Sequence, residues 1–557
     1  MNLTVKQISS LEKIRQTDAL PAEELLTKTV LLGERFSYQI CIRPNENTGA
    51  GLITKITVDS PLKDNIQVYI VKDAVMDKPV TDADLQLEDY ITHTPGFMPD
   101  ILVPIEEQNN SFTIGDLTRT LWVRIDVPTN AGGIFADAPV PVTVTFDAYT
   151  DRSPEPVYTF AKTMLLDILP VQIPEQKLLY TRWFYADCIA TQHHVDVFSE
   201  AHWELLDKYI ASAADLGINM LLVPVHTPPL DTAIGTRRPC VQLVDITKDG
   251  DTYSFGFEKF HRFIALCKKN GIRYYEIAHM FSQWGAKCAP NILVTQNGKA
   301  EWLFGWHVAA NSPEYTAFLK QYIAAIYAEL NKVGIAEYTY FHVSDEPNPQ
   351  TMDSYKAASD LFRPLIGSSK TLDALSSYLI YEKGLVECPV TSVAHIHEFL
   401  EHPVTNQWAY YCCGPQQIYT NSFMAMPSYR TRILGFLLYK YDIKGFLHWG
   451  YNFYNSCISW YPINPYLTTS GDGAYPSGDP FIVYPAANGT YQSIRGQVTY
   501  DALQDMRVCC ALEEKIGRSA VIELIDKAAG MDLRFDCYPH NKEFIENLRT
   551  QLTNLLR

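Results

Sequence analysis

From Leu178 onward the chain alternates short apolar strands with longer helical patterns, and this alternation restricts the fold more than any other feature. A parallel strand can be reached only by a crossover, usually a helix, so such a rhythm builds parallel sheets. Eight strand candidates begin near Leu178, Ile218, Ile272, Tyr338, Thr371, Val390, Gln407 and Gly445. Helices are predicted between the early ones, over residues 202–216, 257–270 and 313–333. Gly217, Gly271 and Gly334 each close one of these helices just before the next strand, where a left-handed backbone favours glycine. The pattern predicts an α/β fold, a (β/α)8 TIM-type barrel over residues 174–496.

The first 173 residues keep a different rhythm. Residues 36–43, 66–71, 121–127 and 140–146 alternate apolar and polar side chains, with Pro, Gly and Asn between the runs. Period-two patterning of this kind predicts an N-terminal antiparallel β-sandwich, residues 1–173, whose last strand covers residues 157–168. The Pro170-Val-Gln-Ile-Pro174 stretch punctuates its end. Residues 497–557 read as C-terminal helices packed on the barrel, with clear amphipathic stretches at 500–516 and 542–556. A chain of 557 residues exceeds one ordinary core, which fits this division.

The net charge of −17 argues against nucleic acid or an anionic membrane as a partner, because both need a basic footprint. Met1-Asn-Leu-Thr-Val-Lys-Gln-Ile-Ser-Ser10 has no basic region followed by an apolar one, so the expected compartment is the cytoplasm. A leader already removed would leave the same appearance. The 12 Cys have no framework spacing and no C-x-x-C, although Cys412-Cys413 and Cys509-Cys510 are vicinal. No cofactor or metal is expected. His395 and His397, two apart, lack a third ligand at identifying spacing.

Function in a barrel lies at the C-terminal ends of its strands. Those ends carry Trp183 and Asp187, then His226, His279, His342 with Asp345 and Glu346, His395 with Glu398, Trp408 with Tyr410, and Trp449 with Tyr451 and Asn452. Acids, imidazoles and aromatic rings at one rim suit a sugar pocket, and the expected partner is a glycan or glycoconjugate. Asp187 is read as a ligand contact rather than a helix cap, and Trp183, His342 and Tyr451 as further candidate contacts.

Asp345-Glu346 is the most telling pair. Neighbouring carboxylates separate each other's proton affinities, so one can stay acidic while the other stays ionised. Side chains of consecutive strand residues point oppositely, so both reach one substrate only if the chain bends there. This suits a divided task. Glu346 protonates the leaving oxygen, while Asp345 holds a substrate amide whose own carbonyl attacks the anomeric carbon. The scheme predicts a 2-acetamido sugar and retained configuration, with no protein nucleophile. Two rivals stand beside it: a two-carboxylate enzyme with Glu398 as nucleophile on a non-acetamido sugar, and an inactive glycan-binding protein.

His342-Val-Ser-Asp-Glu-Pro347, Gln407-Trp-Ala-Tyr-Tyr-Cys412 and Gly445-Phe-Leu-His-Trp-Gly-Tyr-Asn452 resemble the family 123 glycoside hydrolases and their uncharacterised relatives. Tyr429-Arg-Thr-Arg-Ile-Leu-Gly435 is similar too, and the likeness runs from roughly Lys177 to Gly517. The resemblance implies an exo-acting β-N-acetylgalactosaminidase with an oxazoline-type intermediate. It makes Glu346 the general acid/base and Asp345 the residue orienting the acetamido group. Trp408, Tyr410, Trp449 and Asn452 would line the sugar subsite. The chain departs from the pattern in having Trp-Ala-Tyr where a second aromatic is expected beside the Trp. It also carries an insert at 461–491, expected to form a lid or subsite wall.

Overall fold

The alternating N-terminal runs do form two sheets. The computed structural model describes residues 3–45, 51–80, 89–130 and 138–557. It divides into two units, one of Met1–Gln176, Thr420–Lys440 and Tyr491–Arg557, the other of Lys177–Tyr419 and Tyr441–Thr490.

In the first unit one sheet runs Leu3–Ser9, Arg35–Pro44, Arg119–Asp126, Ile66–Met76, Gly96–Pro104, all antiparallel. The other runs Thr27–Leu32, Tyr158–Gln172, Val140–Tyr149, Leu52–Asp59, Ser111–Ile114. Its Thr27–Leu32 edge pairs in parallel, a departure from the wholly antiparallel expectation. Period two explains the core: Val140, Val142, Val144, Phe146 and Ala148 point inward and meet Tyr38, Ile40, Ile42, Leu121 and Val123 of the facing sheet.

Helices Ile494–Ile516, Arg518–Ala529 and Lys542–Leu556 belong to the same unit. Buried ion pairs tie them in. Arg549 reaches Glu34 at 2.7 Å and Asp505 at 3.1 Å, and Asp505 also holds Arg432 at 2.7 Å. The middle helix, bracketed by Gly517 and Gly530, was not anticipated from the periodicity.

The second unit holds a closed parallel barrel of eight strands: Leu179–Arg182, Met220–Val223, Tyr274–Ile277, Thr339–Phe341, Lys370–Leu375, Cys388–Ser392, Trp408–Tyr410 and Gly445–His448. We number them 1 to 8. Strand 8 closes the ring by pairing Gly445 with Leu179 of strand 1 and with Trp408 of strand 7. Helices Glu200–Asp215, Glu258–Lys269 and Pro313–Lys332 occupy the expected places. Ser199 and Ser312 cap two of them by accepting the His202 and Tyr315 amides. Gly217, Gly271 and Gly334 follow at φ +81°, +84° and +71°, as the C-cap reading requires. Late helices are short, Tyr378–Glu382 and Ile396–Leu400. An unanticipated four-stranded sheet, ordered Thr252–Gly256, Asp245–Asp249, Ile292–Gln296, Lys299–Phe304, is inserted among the early loops. Among the described residues no helix is long and apolar enough to cross a membrane.

Candidate active site

Strand 4 ends at Phe341, and the chain stays buried through His342, Val343 and Ser344 before it turns at Asp345 and Glu346. Glu346 sits at φ +42°, a left-handed conformation that a residue with a Cβ rarely adopts. This turn breaks the strand alternation that would send the two carboxylates to opposite faces. Glu346 Oε1 accepts the Tyr410 hydroxyl at 2.5 Å, which joins the mouth of strand 4 to that of strand 7. Asp345 is half-buried. Burial pushes its carboxyl well above the ordinary range, and repulsion from Glu346, Asp231 and Asp373 adds to the effect against the pull of His342.

A third carboxylate enters this field from the loop after strand 2. The Asp231 amide donates to Gln283 Oε1 at 2.7 Å, and its carbonyl accepts the Ser459 hydroxyl at 2.6 Å. Its own Oδ2 accepts the Tyr185 hydroxyl at 2.8 Å. Burial raises Asp231, and Glu346 adds to the rise, while Tyr185 and Arg238 oppose it.

One layer deeper lies a polar network that the barrel strands build inward. Glu276 of strand 3 accepts the Thr181 hydroxyl, Trp183 Nε1 at 3.1 Å and His342 Nε2 at 2.8 Å. His342 Nδ1 donates to Asp373 at 3.1 Å, and Asp373 also accepts the Val343 amide at 3.2 Å and the Tyr355 hydroxyl. Burial alone would strip the proton from His342. The hydrogen bonds to Asp373 and Glu276 outweigh it and lift the imidazole to about 9. His342 is therefore an imidazolium between two carboxylates. His279 stacks on it at 4.1 Å and 19°, and burial with that neighbouring charge keeps His279 neutral.

His279, His342 and Asp373 bring three possible ligand atoms within 4.8 Å of one another. Both His342 nitrogens donate to carboxylates, so the imidazolium has no lone pair to offer a metal. The set reads as a proton-ordered network, not a metal cage.

The insert 461–491 packs on the residue that follows strand 8. Trp449 Nε1 donates to Asp479 at 2.9 Å, its ring lies 5.0 Å from Tyr475, and His448 pairs with Asp479 at 3.3 Å. Trp449 is 8% exposed. Asp231 contributes to the rise of the Tyr475 hydroxyl, so Tyr475 lies within its field.

Of the residues singled out from sequence, Asp345, Glu346 and Tyr410 meet at the mouth, Trp449 packs on Tyr475, and Trp183 and His342 form the layer beneath. Four others are committed to protein partners. Trp408 shares a face with Tyr410 but lies two residues, roughly 6.6 Å, deeper, where it packs on Tyr340. Tyr451 stacks on Phe184 and donates to the Tyr209 carbonyl at 2.9 Å. Asn452 clasps the Tyr185 backbone through both its side-chain atoms, at 2.9 and 3.0 Å. Asp187 accepts two bonds from Arg238, at 3.0 and 3.1 Å, and that pair is sealed from water. Glu398 is exposed on the helix Ile396–Leu400, and His395 and His397 lie beyond the end of strand 6, not on it.

Glu276 and Asp373 join the site although the sequence pattern alone does not single them out; a lone carboxylate inside an apolar strand is nonetheless a visible signal of buried polar chemistry. Asp231, in a proline-rich loop, carries no such signal.

The chain matches the family described as glycoside hydrolase 123, catalytic domain, over residues 183–512. A family 123 glycoside hydrolase from Clostridium perfringens, whose structure was analysed for glycolipid glycan hydrolysis, shares 16% identity over 100% of this chain and 97% of its own, at TM-score 0.72. A family 5 mannosidase from Rhizomucor miehei shares 12% identity over 62% of this chain and 94% of its own, at TM-score 0.35. No curated protein matches.

Proposed function

The chain belongs to glycoside hydrolase family 123, and from that premise we propose that it is a retaining exo-hydrolase that releases a terminal 2-acetamido sugar, β-linked N-acetylgalactosamine, from a glycan or glycoconjugate. The observation that carries this reading is the turn at Glu346, which sets its carboxylate on Tyr410 beside the half-buried Asp345.

Glu346 protonates the glycosidic oxygen as it leaves. The substrate's amide oxygen attacks the anomeric carbon, and an oxazoline-type intermediate forms on the sugar itself. Asp345 accepts the amide N–H. Its ionisation is costly while the site is empty, so it gains most when positive charge develops on that nitrogen in the transition state. Glu346 then takes a proton from the water that opens the intermediate, and two inversions leave the configuration retained. Trp449 and Tyr475 offer aromatic faces for the sugar's C–H surfaces.

Glu346→Gln and Asp345→Asn are each expected to lower turnover of an aryl N-acetyl-β-galactosaminide by about 10²–10⁴-fold. A thiazoline analogue of the intermediate is expected to inhibit strongly. Unchanged rates in both variants would overturn the assignment.

A further inference from the structure

Two residues beyond Tyr410 the chain carries a different chemistry. Cys412 and Cys413 are both thiols, with Sγ atoms 3.9 Å apart. Cys413 is exposed and Cys412 half-buried. The turn that presents them is tied down, because the Cys412 amide donates to the Gly414 carbonyl at 2.9 Å and Gln416 Nε2 donates to the Cys413 carbonyl at 3.2 Å. A trivalent arsenic is pyramidal and holds two sulfur ligands somewhat closer than a tetrahedral centre, whose ~2.3 Å bonds set them roughly 3.8 Å apart. A small inward movement of the two sulfurs therefore brings the pair onto one such centre. Cys509 and Cys510 offer a contrast: they sit inside the helix Ile494–Ile516, where successive side chains diverge by roughly 100°, and Cys509 is fully buried.

Cys412 shares its S–H with Cys413, which lowers the Cys413 thiol below its ordinary range and raises that of Cys412. The exposed sulfur is therefore the readier nucleophile.

We propose that Cys412 and Cys413 form a dithiol site for soft, thiophilic metalloid centres, trivalent organoarsenicals first, and that filling it stops hydrolysis. In the binding step two As–S bonds form, and the oxygen of R–As=O leaves as water with the two thiol protons. No oxidation state changes. Drawing the two sulfurs onto one centre reshapes the turn directly after strand 7, whose Tyr410 holds Glu346. The inhibitory half rests on the role given to Glu346 above, whereas the binding half does not.

The test uses the full chain and phenylarsine oxide. Intact mass is expected to show one adduct per chain, formed with loss of water. Turnover of the aryl N-acetyl-β-galactosaminide should fall by about tenfold or more, the scale of a lost hydrogen bond to a charged group. A dithiol such as 2,3-dimercaptopropanol is expected to reverse both effects, and excess monothiol neither. Cys413→Ser, and separately Cys412→Ser, should abolish the adduct yet keep the untreated rate, while Cys510→Ser should leave the adduct intact. An adduct that persists in the first two variants, or none in the parent, overturns the site. An adduct at the pair with undiminished turnover overturns the inhibition. No turnover before arsenical is added, with the adduct still forming, would instead indict the functional reading and leave the site supported.

Discussion

Three carboxylates, Asp231, Asp345 and Glu346, face one another at the barrel mouth, and the fold bears the cost of keeping them together. For Asp345 the sign is clear. Its folded affinity for protons lies above the unfolded value, so ionisation is penalised in the native state. That penalty is absent below the ordinary carboxylate range and grows as pH rises toward the folded value. Asp345→Asn removes it. The variant should melt higher than the parent, with a gap that widens from pH 5 to pH 8 in thermal unfolding; a gap independent of pH would contradict this account. Burial raises Asp187 as well, but Arg238 opposes the rise. Its ion pair with Arg238 is sealed on both sides, the two side chains each being 2% exposed. Asp187→Asn leaves a buried guanidinium without its charge and should cost about 3–5 kcal/mol in urea unfolding.

At the scale of elements, strands 1, 3, 4 and 5 are bound through the inward network around His342 rather than through apolar packing alone. Its imidazole is raised from 6.5 to about 9, so the stability it contributes is full below about 6.5 and is lost as pH climbs through about 9. Differential scanning calorimetry from pH 6 to 10 should show that alkaline fall. His342→Gln should flatten it while lowering the midpoint at every pH, because Glu276 and Asp373 then face each other with no cation between them. A parent-like alkaline slope in the variant would mean that another group titrates. The insert is likewise anchored by polar contacts, among them Asp479 to Trp449 and His448, the Phe453 amide to the Pro480 carbonyl and the Ile482 amide to the Tyr451 carbonyl, which is how a loop of irregular backbone is held in place.

Over the whole molecule, the eight barrel strands were legible because each is a short apolar run closed by a glycine-capped or loop boundary. Gly445 also marks a contact no periodicity predicts: a Cβ there would lie 2.1 Å from the Trp408 ring. The four-stranded sheet escapes the apolar-run pattern because its strands carry Asp245, Asp249 and Glu301 on exposed faces. Yet its Asn297-Gly298 loop, at φ +51° and +75°, is a hairpin signal written in the sequence. The acid pair was readable from its position at a strand mouth. The depth of a side chain along its strand was not, so Trp408 and Tyr410 looked alike although only one reaches the mouth. Asp231 was hidden for a further reason, since its place is set by Gln283, Tyr185 and Ser459, three residues from distant loops.

That the substrate's own amide supplies the attacking atom is tested most directly by weakening that amide. Aryl β-galactosaminides bearing N-acetyl, N-fluoroacetyl, N-difluoroacetyl and N-trifluoroacetyl groups carry progressively poorer carbonyl nucleophiles at unchanged leaving-group chemistry. The account predicts a steep, monotonic fall in kcat/KM along this series. A flat series would contradict it and return the search for a nucleophile to the protein.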